Sequence, residues 1–96
     1  MNIASCLYNM RRYKEAYAIY DEIYEVRKSI LGNMHPDTLA VEFYLARLKF
    51  MNGKKDEGIE LMSEVYKKRC LILGKDHLDT KRSIKTLEEM HRKNTN

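Results

Sequence analysis

Shifted by 42 residues, the chain matches itself: Ile30-Leu31-Gly32 returns as Ile72-Leu73-Gly74, His35 as His77, and Asp37-Thr38 as Asp79-Thr80. The same shift pairs Ala4 with Ala46, Glu15 with Glu57, Glu22 with Glu64, Tyr24 with Tyr66, Arg27 with Arg69 and Leu45 with Leu87. One offset shared by so many identities constrains the fold more than any local propensity does. Each period must be a supersecondary unit that cannot bury its apolar face alone and therefore stacks on a copy of itself.

Within one period the apolar spacing is helical twice. Tyr13, Ala16, Tyr17, Tyr20, Ile23, Tyr24 and Ile30 advance in steps of three and four, and so do Val41, Tyr44, Leu45 and Leu48. Gly32, Asn52-Gly53 and Gly74 follow the helices as stop signals, while Pro36-Asp37-Thr38 reads as a start in which Asp37 or Thr38 caps orphan amides. The pattern predicts helices at about 1–11, 13–31, 37–52, 55–73 and 79–93. The expected fold is all-α, an antiparallel helix-pair solenoid of about five helices in one domain spanning 1–96. A partial first repeat covers 1–31, a full repeat 32–74, and a C-terminal capping helix with its tail 75–96.

The two ends carry their own expectations. Where the second helix type has Leu39, Ala40, Val41, Phe43 and Tyr44, the last has Lys81, Arg82, Ser83, Lys85 and Thr86, with Leu87 keeping the inner contact. A polar outer face is what a terminal repeat needs, so the natural C-terminus is expected near Asn96. At the other end the first half-repeat is short, which suits either a piece of a longer array or a short first helix opening at Met1. A first helix without a preceding partner leaves Ile3, Leu7 and the Tyr17 to Tyr24 face open, and a two-fold homodimer through the N-terminal helices is expected to cover them.

Composition narrows the function. With 44% hydrophobic and 33% charged residues the chain has enough apolar side chains to fold. No apolar run approaches the ~18 residues of a membrane span and no signal pattern opens the chain, so a cytoplasmic protein without a membrane partner is expected. The net charge of +4 divides evenly between 1–74 and 75–96, which leaves no basic tail and makes nucleic acid an unfavoured partner. Cys6 and Cys70 are too few for a disulfide framework. His35 and His77 recur at equivalent points and so perform one local structural task, which argues against a metal site. The tyrosines at 13, 17, 20 and 24 are spaced as a buried helix face rather than a base-stacking platform. Nucleophile-elbow, zinc-protease, P-loop and dinucleotide-binding strings are missing, so neither enzymatic activity nor a cofactor is expected.

The string Leu31-Gly32-Asn33-Met34-His35-Pro36-Asp37-Thr38, with the inter-helix turns Arg11-Arg12-Tyr13-Lys14-Glu15-Ala16 and Gly53-Lys54-Lys55-Asp56-Glu57-Gly58, resembles the long tetratricopeptide repeats of kinesin light chains and nephrocystin-like proteins. Departures from that pattern are Ile23 and Val65 in place of a small residue and Leu78 in place of proline. The resemblance implies a non-catalytic scaffold that binds a protein or peptide on the concave face lined by the first helix of each pair. Carried onto this chain, that face holds Ser5, Tyr8 and Asn9, then Ala40, Phe43, Arg47 and Phe50, then Arg82, Lys85, Glu89 and Arg92. Phenylalanines beside cations suit an acidic segment with an apolar anchor. Two alternatives are a packing appendage of a larger enzyme or motor complex and weak nucleic-acid binding through the net positive charge.

Overall fold

Four helices, α1 (Tyr13–Leu31), α2 (Pro36–Met51), α3 (Lys55–Leu73) and α4 (Leu78–Asn94), make up the computed structural model, which describes residues 12–94. Each agrees with its expected span to within about a residue. The expected helix over 1–11 lies outside the described residues, as do Ile3, Leu7 and Cys6. No strand occurs among the described residues, and each helix packs on the next in the chain, as stacked helix hairpins require.

Punctuation in the sequence explains the boundaries. Gly32 and Gly74 close α1 and α3 with φ of 87° at both, a left-handed value that a Cβ disfavours, and each amide reaches back to the carbonyl four residues earlier. At the next helix the cap is supplied by histidine rather than by the expected Asp37 or Thr38. His35 Nδ1 accepts from the Asp37 amide at 3.1 Å, and His77 Nδ1 accepts from the Asp79 amide at 3.1 Å. Thr38 and Thr80 are instead buried. An arginine ties the same turn to the preceding helix: Arg27 Nη1 donates to the Asp37 carbonyl at 2.9 Å and Arg69 Nη1 to the Asp79 carbonyl at 3.0 Å. The repeated His and Arg thus form one clasp, made twice, which sets how a long helix hands over to the next.

Helix α2 is central and buries two faces, which explains why it is apolar nearly all round. Toward α1, Val41, Leu45 and Leu48 meet Ala16 and Tyr20, with Tyr13, Tyr17 and Tyr24 packed around them. Tyr20 stacks on Tyr44 with ring centroids 5.3 Å apart, so the tyrosine stripe is a packing face. Toward α3 and α4, Phe43 and Ala46 meet Met62, Val65, Leu87 and Met90.

One charged residue interrupts this core. Glu42 is buried where its partner 42 residues on is Ile84; its Oε1 lies 3.6 Å from Lys68 Nζ, and its Oε2 has no hydrogen bond among the described residues. Burial pushes the carboxyl above its usual range, Lys68 and Lys28 pull it down, and Glu64 adds to the rise. A carboxyl whose folded-state pKa is raised costs stability when ionised. That cost is absent below the unfolded value of about 4.3 and is fully imposed once pH passes the folded value. Lys68 is 23% exposed and can turn to water if its partner is removed. Glu42→Met is therefore expected to stabilise the fold by about 1–2 kcal/mol at pH 7, with the gain shrinking toward pH 4. Urea melts at the two pH values check it, and a gain of equal size at both would rule out ionisation as the cause.

Candidate functional site

The first helices of the pairs, α2 and α4, approach at their C-terminal ends and form a small open cleft of about 40 Å³. Its floor and walls are Arg47, Phe50 and Met51 from α2, with Thr86, Glu89, Met90 and Lys93 from α4. The α4 residues advance by three, one and three, so a single helical stripe faces the cleft. Across it the residues correspond at the repeat offset, Arg47 to Glu89 and Met51 to Lys93.

Gly58 of α3 makes the close approach behind this cleft. A Cβ there would stand 2.8 Å from the Ala46 carbonyl oxygen and 2.8 Å from the Phe50 amide nitrogen. Only glycine lets α3 lie that close to α2, and the backbone it touches is that of Ala46 and Phe50. The Phe50 ring is half-buried, with Lys55 Nζ 5.6 Å from its centroid. At the same end of α3, Asn94 Nδ2 donates to Asp56 Oδ1 at 3.3 Å and links the end of α4 to the start of α3.

Some of the expected residues line this cleft and others do not. Arg47, Phe50 and Glu89 line the cleft, whereas Phe43 does not. Phe43 is a core residue, 3% exposed, packed against Met62 and Leu87 with the Arg69 guanidinium 5.1 Å from its ring, so it cannot offer a surface anchor. Arg82, Lys85 and Arg92 are exposed on α4 but do not line the cleft. Ala40 is half-buried and stands outside it too. Ser5, Tyr8 and Asn9 lie outside the described residues. Ser83, expected on the polar outer face, is buried: it accepts from Arg69 Nη1 at 2.8 Å and donates to the Asp79 carbonyl at 3.0 Å. Met51, Thr86, Met90 and Lys93 complete the cleft and were not anticipated.

Among the described residues no group of His, Cys, Asp and Glu is placed to hold a metal ion, and no helix is long and apolar enough to cross a membrane. In comparisons with known proteins, residues 1–69 match the family described as Tetratricopeptide repeat. No curated protein matches the chain.

Proposed function

For this chain, which belongs to the tetratricopeptide repeat family, we propose a non-catalytic scaffold role in which the cleft between α2 and α4 takes an extended acidic segment carrying an apolar anchor. Repeats of this family generally mediate protein–protein interaction, and the 42-residue period supports a long-repeat type similar to kinesin light chains. A cytoplasmic location fits that role. The observation that carries the reading is the composition of the cleft: Phe50 and Met51 provide apolar surface over the buried Met90, while Arg47 and Lys93 also line it. An aliphatic or aromatic anchor gains affinity from the apolar surface, and the cations set register and on-rate. Glu89 lines the same cleft and disfavours acid beside it, so the acidic positions flank the anchor.

A display library of ten-residue peptides with acidic residues around a central leucine or phenylalanine tests this on the whole chain. Arg47→Glu is expected to weaken the selected peptide about tenfold. Its melting temperature should barely change, since partly exposed charges contribute ~0–1 kcal/mol to stability. Phe50→Ala should weaken the same peptide independently. Binding that survives both substitutions places the partner on another surface.

A further inference from the structure

Eight large hydrophobic side chains are exposed among the described residues, and six of them fall at two helix junctions: Ile30 and Leu31 in the last turn of α1 with Met34 beyond it, and Leu71 and Ile72 in the last turn of α3 with Leu78 opening α4. Successive helices run antiparallel, so both connections lie on one edge of the solenoid. The connection between α2 and α3 is on the opposite edge, where Met51 is the exposed apolar residue. Isolated exposed hydrophobics are ordinary, but six of the eight fall on the one edge that holds both junctions. Leu71 is 81% exposed and Leu78 66%, so both are open to solvent at the second junction.

Charge gathers at that same junction. Residues 67–85 hold seven Lys and Arg against Asp76 and Asp79, a balance of +5 in a chain whose total is +4. Arg69 is buried, Lys68 faces Glu42, and Asp79 Oδ2 sits 4.0 Å from His77 Nδ1. The exposed cations are then Lys67, Lys75, Lys81, Arg82 and Lys85, and the exposed acid is Asp76. Lys67 stands one helical turn back from Leu71 on the outward face of α3, and Lys81 and Arg82 stand one turn on from Leu78 along α4. Lys67, Lys81 and Arg82 thus stand about 6 Å along the helix axes from the two leucines, and Lys75 lies in the connection between them.

We propose that this edge docks on an anionic lipid bilayer surface, with Leu71 and Leu78 entering the boundary between headgroups and acyl chains while Lys67, Lys75, Lys81 and Arg82 meet the anionic headgroups. Solvent-open aliphatic side chains suit a soft surface that they can enter by ~5–10 Å, and the neighbouring cations suit the headgroup layer. A peptide would need a concavity that two solvent-open leucines do not provide. A second copy meeting junction to junction would bring two positive segments together. Single-stranded nucleic acid would use the cations and aromatic faces and leave the leucines idle. Peripheral docking of this kind needs no spanning helix, and it uses a surface separate from the α2–α4 cleft, so each assignment stands or falls alone.

Vesicle co-sedimentation of the whole chain tests it, using phosphatidylcholine vesicles with about one-third phosphatidylserine beside pure phosphatidylcholine. Binding is expected to the anionic vesicles and to fall with added salt. Leu71→Gln with Leu78→Gln should weaken it about tenfold, and Lys75→Glu with Lys81→Glu at least as much. Lys54→Gln on the opposite edge should leave it unchanged. All these positions are exposed, so circular dichroism and melting should match the parent chain. Failure to bind the anionic vesicles overturns the proposal, as does binding indifferent to the leucine pair. Single-stranded RNA bound in place of vesicles, with the leucines dispensable, also overturns it.

Discussion

Replacing Gly58 by alanine is expected to lower the melting temperature by about 10–20 °C, a loss of about 2–3 kcal/mol for a domain of this size. Two effects oppose each other at this position. Alanine is the better helix former by about 1 kcal/mol, which on an exposed helix would make the substitution stabilising. Against that, the new Cβ would meet the Ala46 carbonyl oxygen and the Phe50 amide nitrogen at 2.8 Å, and the Phe50 Cβ at 3.0 Å. These obstacles are α2 backbone and the base of a side chain, so no rotamer change removes them and the two helices must separate. Separation loosens the contacts of Ala46 and Met62, both fully buried, and moves the backbone carrying Phe50 into the cleft. Thermal and urea melts measure the cost, with Gly58→Ser expected to be no better. An unchanged or raised melting temperature would show that the α2–α3 contact has slack. Ala16, the residue 42 places earlier, is fully buried yet carries the Cβ that Gly58 cannot.

That contrast shows where sequence reasoning stops. Helix limits were legible because Gly32, Asn52-Gly53 and Gly74 stand in the chain as visible stops. The family was legible because a repeated string carries more information than any one motif. The division between core and cleft was not. Phe43 and Phe50 are seven residues apart on α2 and so share a stripe, yet Phe43 is buried against Leu87 while Phe50 opens into the cleft. Their difference is set by where α4 crosses α2 and by how closely Gly58 lets α3 approach, and neither is a property of helical periodicity. Repeat equivalence also promises identical roles at identical offsets, which holds for the histidine caps and fails for Glu42 against Ile84. The role of the two histidines was legible as local hydrogen bonding before a helix; that they, rather than Asp37 or Thr38, cap it needed the geometry.

Arg69→Ala is expected to cost about 3–4 kcal/mol, and Arg27→Ala, its equivalent one repeat earlier, less than about 1 kcal/mol. Both guanidiniums donate to the carbonyl of the aspartate ten residues on, at 3.0 and 2.9 Å, so the shared bond cannot account for a difference. Surroundings can. Arg69 is 5% exposed, donates also to Ser83 Oγ at 2.8 Å and lies 5.1 Å from the Phe43 ring centre, whereas the Arg27 bond is exposed. Burial lowers the affinity of the Arg69 guanidinium for its proton and Asp79 opposes that, but a guanidinium keeps its charge in proteins. Truncation therefore removes two charge-assisted hydrogen bonds and a cation–π contact and leaves a void between α3 and α4. Arg69→Lys keeps the charge but loses the planar fork, and is expected to recover less than half of the loss. Chemical denaturation of the three variants decides between burial and the bond itself. Equal losses at Arg27 and Arg69 would mean that the carbonyl tether, and not the packing around it, fastens each long helix to the next.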